Sequence, residues 1–302
     1  MKILKALQRK KQEEQSNIVP LREVNKHYET STSFLPEDIK IGTPKIITEQ
    51  EESFVESQKI KIPEFASWPI QLEDLDPRLV SLKAPSSVYC ENYRNLRTKI
   101  FQKSQRNNLK VITISSINPN EGKSITALNL ACLMAQTEGS NTLLIDGDLR
   151  KPSLAKYLGF ETDKGLSELI SGEAKIEETI ICLEPTGLYL LPGSSPNPKA
   201  PEILSGVRFK QLISQLRQMF DYILIDSPPL AICSDADVLT SLSDGTIFVI
   251  RSNYTQYLAV TRALEMLPQE KILGVVLNES EDSLKKSYYD FSSYDSNDRE
   301  TL

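Results

Sequence analysis

Residues 111–124 read VITISSINPNEGKS, an apolar run that leads into a Gly-Lys-Ser turn. The apolar residues predict a buried strand, and the residues behind the turn predict a helix. A loop between a strand and a helix turns backbone N–H groups and the positive end of the helix dipole toward one point, where a phosphate group binds. In this pattern Lys123 reaches the terminal phosphates of a nucleotide and Ser124 is a ligand of Mg²⁺. The strict motif has a glycine five residues before Gly122, and this chain has Ile117 there.

Two later segments have a related design. Residues 143–152 read LLIDGDLRKP and residues 222–229 read YILIDSPP. Each nearly continuous apolar run ends in a carboxylate, which predicts a parallel strand buried on both faces. An aspartate at a strand end is often only a turn former. Because ligands of open α/β sheets bind beyond the carboxyl ends of the strands, we expect Asp146, Asp148 and Asp226 to surround one phosphate and metal site beside the loop lysine.

Composition excludes several classes of function. The net charge of −6 argues against a broad nucleic-acid surface, so no nucleic-acid partner is expected. The four cysteines lie far apart, which favours reduced thiols over a zinc site or a disulfide framework. His27 is the only histidine, which argues against histidine catalysis and histidine-ligated metals. No apolar stretch approaches the ~18–20 residues that a membrane span requires, and no secretory signal is recognisable.

The chain divides into three predicted regions. Residues 1–80 form a polar, partly disordered extension, residues 81–278 a phosphate-loop domain, and residues 279–302 a flexible acidic tail. Strands and helices alternate in the middle region, which predicts an α/β fold with a mostly parallel sheet flanked by helices, of the P-loop NTPase type. Predicted strands lie near 110–115, 142–146, 187–191, 222–226, 245–251 and 272–278. Predicted helices lie near 87–103, 123–137, 166–171, 201–204, 207–219, 235–241 and 257–266.

A charged stripe lies on the helix that precedes the phosphate-loop strand. Glu91, Arg94 and Arg97 are three residues apart, so they fall within about 120° of one helix face. Such a stripe is an ordinary solvated face in many proteins. It is also able to pair with the same stripe of another subunit.

The tail carries three tyrosines, Tyr288, Tyr289 and Tyr294, among Ser and Asp residues. A polar tail with chance aromatics is one interpretation, and a cluster of phosphoacceptors is the other. Each phosphate would add about −1.5 to −2 charges to a tail that is already acidic. Full phosphorylation would therefore repel such tails from a site that holds carboxylates and a nucleotide.

Together these residues resemble the bacterial tyrosine kinases (BY-kinases), the cytoplasmic kinases of capsule and exopolysaccharide export. The resemblance covers residues 76–294 and depends on the order of several independent motifs. The stripe of Glu and Arg matches the oligomerisation element Glu-x-x-Arg-x-x-Arg, and the tail matches the tyrosine cluster. The polar extension is similar to that of soluble members beside exosortase-type polysaccharide loci. The core motifs are the phosphate loop Ser116–Ser124, LLIDGDLRKP at 143–152, GLSEL at 165–169, DSPP at 226–229 and LGVVLN at 273–278.

The resemblance implies a protein-tyrosine autokinase that uses ATP and Mg²⁺. Lys123 would stabilise the charge that develops on the transferred phosphoryl group. Ser124, Asp148 and Asp226 would hold the metal, and Asp146 would accept the tyrosine proton. The implied nucleotide-binding residues are Asn118, Pro119, Asn120, Glu121, Gly122, Lys123, Ser124, Ile125 and Arg150.

The resemblance also implies partners. Subunits would form a ring-shaped homo-oligomer in which each tail enters a neighbour's site, and phosphorylation would dissolve the ring. A separate membrane protein of the chain-length-regulator type would activate the kinase, and a cognate tyrosine phosphatase would reverse the reaction. The enzyme would then be cytoplasmic, attached to the inner face of the membrane through its partner. Asn120 departs from the family pattern, because many members have glycine there.

Two other functions fit the same fold. A positioning ATPase of the MinD/ParA type would carry a second lysine early in the loop, where this chain has Asn118. That class also has no need of a terminal tyrosine cluster. A non-catalytic subunit that binds ATP and regulates an export machine is the second alternative, and the intact lysine and aspartates argue against it.

Overall fold

The structure, a computed structural model, describes residues 62–280. An eight-stranded sheet lies at its centre. The strands are β1 (Ala66–Pro69), β2 (Val111–Ser116), β3 (Thr142–Asp146), β4 (Ile181–Glu184), β5 (Leu188–Leu191), β6 (Tyr222–Asp226), β7 (Gly245–Arg251) and β8 (Ile272–Asn278).

Helices connect most of these strands, and a 3₁₀ helix, Gln269–Lys271, precedes β8. None of the helices within residues 62–280 is both long enough and apolar enough to cross a bilayer. The helices are α1 (Val80–Lys83), α2 (Val88–Asn107), α3 (Lys123–Ala135), α4 (Leu154–Tyr157), α5 (Leu166–Ser171), α6 (Ile176–Thr179), α7 (Ala200–Ser205), α8 (Val207–Met219), α9 (Ser234–Leu242) and α10 (Tyr257–Glu265).

The sheet is mostly parallel, as predicted. Its strand order is β1-β4-β5-β3-β6-β2-β7-β8, and six neighbouring strands from β5 to β8 run in one direction. Strands β1 and β4 pair in parallel with each other, and β4 is antiparallel to β5. The central strands β3, β6 and β2 are adjacent and parallel, so their carboxyl ends lie side by side at the same end of the sheet.

Each central strand is buried on both faces, which explains its nearly continuous apolar sequence. On one face Ile112 and Leu224 pack in a cluster with Leu128 of α3. On the other face Ile225 packs in a cluster with Phe209 of α8. Because a fully buried Leu, Ile or Phe side chain contributes about 1.5–3 kcal/mol relative to an exposed one, the two clusters hold the layers of helices against the sheet.

All six predicted strands and all seven predicted helices are present with small shifts at their ends. Strands β1 and β4 were not predicted. Strand β1 is four residues long, exposed along its length, and ends at Pro69. It pairs with β4, and Trp68 packs on Phe160 with ring centroids 5.0 Å apart. The sheet therefore begins within the region 1–80 that was predicted as an extension, ahead of the predicted boundary at residue 81.

Candidate active site

The two aspartate-ended strands bring their carboxylates side by side. Asp146 of β3 and Asp226 of β6 are register partners, and the N–H of Gly147 donates to the carbonyl of Asp226 at 2.8 Å. A Cβ atom on Gly147 would lie 2.9 Å from that carbonyl oxygen, so only glycine fits this close approach. The chain therefore leaves β3 directly beside the end of β6.

Lys123, the first residue of α3, lies between two of the predicted aspartates. Its Nζ is 3.0 Å from Asp148 Oδ2 and 3.8 Å from Asp226 Oδ1. The same ammonium is 3.3 Å from the hydroxyl of Ser124. Its side chain is 12% exposed and that of Asp226 is completely buried. The structure thus brings together the lysine, the serine and the aspartates that the sequence predicted as one site.

The electrostatics of this cluster follow from its burial. Burial alone would lower the pKa of Lys123, but the carboxylates of Asp226 and Asp148 outweigh it and raise that pKa above its usual value. Burial raises the pKa of Asp226, and Lys123 only partly offsets this effect. Burial also raises the pKa of Asp146, and the adjacent Asp226 carboxylate adds to the shift. The site therefore holds a charged ammonium and two carboxyl groups that bind protons more tightly than usual.

Three carboxylate oxygens of this site accept no hydrogen bond from any donor within residues 62–280: Oδ1 of Asp146 and both oxygens of Asp226. Oδ2 of Asp146 is fixed by the backbone N–H groups of Ser153 at 2.9 Å and Leu154 at 3.1 Å. A buried acceptor without a donor costs about 1–3 kcal/mol. Oxygen ligands of this kind suit Mg²⁺, so the residues present fit a magnesium site, and Asp146 keeps one oxygen available for a proton.

The phosphate loop uses left-handed backbone at two positions. Gly122 has φ +91°, and a side chain there would collide with the amide of Asn278. Asn120 has φ +62°. Among residues with a side chain, asparagine is one of the few that adopts this region readily, which explains why it is able to stand where many members of the resembled family have glycine.

The other predicted nucleotide-binding residues divide into two groups. Pro119, Asn120 and Ile125 line the cleft beside Lys123. By contrast, the side chain of Glu121 is completely buried and folds back onto the start of the loop, where it meets the side chain of Asn118. These two residues therefore shape the loop with their side chains.

Arg150 lines the same cleft, but its guanidinium forms an ion pair with Asp235 of α9. The Nε of Arg150 is 2.7 Å from Asp235 Oδ2, and the Asp235 side chain is 1% exposed. The sequence analysis did not single out Asp235. Its place in the first turn of a helix was the only local signal, because acidic residues are common there.

A cleft of about 1250 Å³ surrounds the cluster. Residues of the phosphate loop, Tyr89 and Asn92 of α2, and Glu279 and Ser280 just after β8 contribute to its lining. Ligand pockets commonly measure about 300–1,000 Å³. The cleft is therefore large enough for a nucleotide together with part of a second ligand.

The charged stripe on α2 makes contacts within its own chain. Arg94 is 3.1 Å from Glu91, and both side chains are partly exposed. Arg97 donates to the carbonyl of Leu133 at 3.1 Å and to the hydroxyl of Thr137 at 3.4 Å. Arg97 therefore ties α2 to the C-terminal end of α3, and Arg94 and Glu91 are the more available members for a partner subunit. The predicted acceptors Tyr288, Tyr289 and Tyr294 lie outside the described residues.

The chain is similar to several known proteins. Residues 109–272 match the family described as AAA domain. The tyrosine-protein kinase YwqD of Bacillus subtilis is 33% identical over 202 residues, which are 66% of this chain and 85% of YwqD. The succinoglycan biosynthesis transport protein ExoP of Rhizobium meliloti is 36% identical over 217 residues, 70% of this chain but only 28% of ExoP.

Among solved structures, the chimerical protein CapA2B2 is 28% identical, with a TM-score of 0.64. The similarity covers 72% of this chain and 95% of that protein. The family match at residues 109–272 includes Lys123, Asp146, Asp148 and Asp226. The chain therefore belongs to the bacterial tyrosine kinase family.

Proposed function

We propose that this protein is an ATP- and Mg²⁺-dependent tyrosine autokinase that phosphorylates its own C-terminal tyrosines in trans. The observation that carries the proposal is the position of the Lys123 ammonium between Asp148 and Asp226, beside Asp146 with its unpartnered oxygen. A lysine, metal-binding carboxylates and a proton acceptor within one cleft are the groups that phosphoryl transfer to a hydroxyl requires.

The loop and its lysine bind and orient the phosphates. Backbone N–H groups of the loop and the N-terminus of α3 hold phosphate oxygens, and Lys123 neutralises the charge on the γ-phosphoryl group as it is transferred. Ser124, Asp148 and Asp226 would hold the metal. A bound Mg²⁺ would neutralise part of the charge on the phosphate groups. Arg150, held by Asp235, lines the cleft as a further cation.

Asp146 is the proposed proton acceptor. Its Oδ2 is held by two backbone N–H groups, so the carboxylate has a fixed orientation and Oδ1 remains available. Its raised pKa makes it a stronger base than an exposed aspartate. The phenol oxygen forms a bond to the γ-phosphorus, the bond to the β-phosphate oxygen breaks, ADP leaves, and the phenol proton moves to Asp146.

Tyr288, Tyr289 and Tyr294 are the proposed acceptors. Strand β8 ends at Asn278, and the residues that follow it, Glu279 and Ser280, line the nucleotide cleft. The tail that carries the tyrosines thus begins beside the site. In a ring-shaped homo-oligomer each tail would reach a neighbour, and the added negative charge would then drive the subunits apart.

The proposed setting is polysaccharide export at the inner face of the membrane. The relative ExoP is a succinoglycan biosynthesis transport protein, and the present chain matches only 28% of it. We propose that a separate membrane activator of the chain-length-regulator type binds this kinase, and that a tyrosine phosphatase resets it.

Incubation of the purified protein with labelled ATP and Mg²⁺, followed by mass spectrometry, tests the activity. Label is expected on Tyr288, Tyr289 and Tyr294, and Lys123→Met should remove it, because the γ-phosphoryl charge loses its partner. The loss should be at least about a hundredfold. Release of phosphate without any tyrosine label, even with a membrane activator present, would support the MinD/ParA-type ATPase instead. ATP binding with neither product would support a non-catalytic subunit.

Light scattering tests the ring. Because Arg97 also holds α3, Arg94→Ala is the sharper variant, and it should reduce the size of the assembly without loss of thermal stability. Arg94→Ala combined with Arg97→Ala should reduce it further. Lys99→Ala on the same helix is the matched control, since Lys99 is exposed but lies off the stripe. An unchanged oligomer in the double variant would remove the assembly role of this helix.

A further inference from the structure

Glu121 is a completely buried carboxylate within the phosphate loop. Its Oε2 accepts hydrogen bonds from two backbone N–H groups, that of Ile117 at 2.8 Å and that of Asn118 at 3.0 Å. Its Oε1 accepts from the side-chain amide of Asn118 at 3.4 Å and from the hydroxyl of Thr255. Four donors from three residues therefore converge on one side chain.

These contacts close the loop upon itself. Ile117 stands where the strict motif has glycine, and Glu121 immediately precedes Gly122 at the other end of the loop. The carboxylate thus joins the start of the loop to its end. In a loop without the first glycine, this bridge supplies a fixed backbone shape that local conformational preference alone does not.

A second set of contacts fastens the loop to the sheet. Thr255 follows β7, and Asn278, the last residue of β8, donates its side-chain amide to the carbonyl of Glu121 at 3.0 Å. Glu121 is therefore the point at which the phosphate loop is attached to the segment after β7 and to the end of β8. A buried negative charge close to a phosphate site is unfavourable by itself. Charge-assisted hydrogen bonds from several fixed donors offset that cost.

We propose that Glu121 is a positioning residue, which holds residues 117–122 in the conformation that binds the nucleotide phosphates. Thr255 holds the carboxylate in its orientation. The inference rests on the nucleotide-binding part of the proposed function and not on the identity of the phosphoryl acceptor. Without the carboxylate, the N–H groups of Ile117 and Asn118 turn toward water in the free protein. Nucleotide binding must then reverse that change, which lowers affinity.

The test is the dissociation constant of the full chain for a fluorescent ADP analogue with Mg²⁺. Glu121→Ala should weaken binding roughly 10- to 100-fold, because two N–H groups lose their acceptor in the bound conformation. Glu121→Gln should restore most of the affinity, since one amide oxygen is able to accept both backbone N–H groups. Glu138→Ala, in the exposed turn that follows α3, should bind as the wild type does.

Thr255 supplies an independent variant in case Glu121→Ala does not fold. Thr255→Val should weaken binding several-fold, and Thr255→Ser should restore it. The melting temperature of each nucleotide-free variant separates positioning from general stability. Wild-type affinity in Glu121→Ala or in Thr255→Val, or equal loss in Glu121→Gln and Glu121→Ala, would overturn the proposal. A wild-type chain that does not bind the analogue would overturn both this inference and the nucleotide-binding proposal. Tyrosine labelling is not part of this test, so its failure alone would affect only the proposed kinase function.

Discussion

The two ends of the central strands carry acidic residues in opposite circumstances. At the end opposite the nucleotide cleft, Asp244 accepts from the backbone N–H groups of Lys110 and Val111, both at 2.8 Å. It also binds both guanidinium nitrogens of Arg217, at 2.9 and 2.6 Å. At the cleft end, neither oxygen of Asp226 accepts a hydrogen bond within residues 62–280.

The two environments move the pKa values in opposite directions. Burial alone would raise the pKa of Asp244, but Arg217 and the backbone N–H groups of Val111 and Lys110 hold it below its usual value. The pKa of Asp226 is raised, because burial outweighs the attraction of Lys123. A carboxylate whose acceptors are all satisfied stabilises the fold, and one whose acceptors are left open is ready for a ligand. We therefore propose that Asp244 supports the fold and that Asp226 serves the reaction.

The largest expected effect comes from neutralising Asp226, the carboxylate whose oxygens accept no hydrogen bond within residues 62–280. Asp226→Asn should lower the rate of tyrosine phosphorylation at least about a hundredfold, because the metal and Lys123 lose a charged partner. The matched variant Asp244→Asn should keep the wild-type rate per folded molecule. Phosphotyrosine yield at fixed folded protein, measured for both variants, checks this. Equal losses would mean that the two ends of the sheet do not differ in the proposed way.

The reverse contrast is expected in stability. Asp244→Asn should lower the free energy of unfolding by about 2 kcal/mol, because hydrogen bonds to a charged acceptor contribute about 1.5–3 kcal/mol. Urea denaturation of the nucleotide-free protein measures this change. Arg217→Gln provides a second measurement of the same pair. An unchanged midpoint in both variants would show that the ion pair does not hold this end of the sheet.

The pH dependence of stability should also separate the two ends. Folded Asp146 and Asp226 bind protons more tightly than they do in the unfolded chain, so their contribution is present below about pH 4 and is lost as pH rises above it. Asp244 acts in the opposite sense, and its contribution is lost only as pH falls below about 4.

The nucleotide-free protein should therefore lose stability from about pH 5 to about pH 7, and Asp146→Asn should flatten the slope. The difference should be about 2 kcal/mol, since the folded protein keeps the Asp146 proton up to a pKa of about 7 and each pH unit corresponds to about 1.4 kcal/mol. Urea titrations at several pH values test this. The same slope in the variant and the wild type would contradict the raised pKa of Asp146.

The smallest effect concerns the lysine at the stabilising end. Lys110 donates to the carbonyl of Arg217 at 3.0 Å. Lys110→Met should lower the free energy of unfolding by about 1 kcal/mol, which is the usual contribution of one hydrogen bond. It should leave tyrosine labelling intact. Paired with Lys123→Met, it compares two lysine substitutions at the two ends of the same sheet. If fully folded Lys110→Met protein lost tyrosine labelling, that result would contradict the proposed difference between the two ends of the sheet.

Most of the fold could be predicted because central strands buried on both faces need apolar runs. That need marks β2, β3 and β6 in the sequence, and the Gly-Lys-Ser turn marks the loop between β2 and α3. Strands β1 and β4 lack the signal, since β1 is short and exposed and forms one edge of the sheet. The pairing of β1 with β4 joins Ala66 to Ile181, far along the chain, and no local pattern records it.

The candidate site, like the fold, could be predicted only in part from the sequence. Lys123, Asp146, Asp148 and Asp226 were recognisable because each lies at or beyond the carboxyl end of a predicted strand, where ligands of open α/β sheets bind. The pairing of Arg150 with Asp235 was not, because α9 approaches the loop after β3 only in the folded chain. The direction of the Glu121 side chain could not be predicted from the sequence either. In the sequence it is one residue of a phosphate motif, and in the structure it binds the loop backbone.

The amino-acid order alone determined the strand-loop-helix unit, the two aspartate-ended strands and their common orientation, because each depends on residues that are neighbours in the chain. Only the tertiary structure decided which carboxylates are satisfied and which remain open. That property depends on donors from distant elements, such as Arg217 for Asp244, and on the Lys123 ammonium, which lies 3.8 Å from Asp226 Oδ1 and beyond hydrogen-bond distance. Burial and hydrogen bonding are properties of the packed chain, and they separate an acidic residue whose oxygens are hydrogen-bonded from one whose oxygens are not.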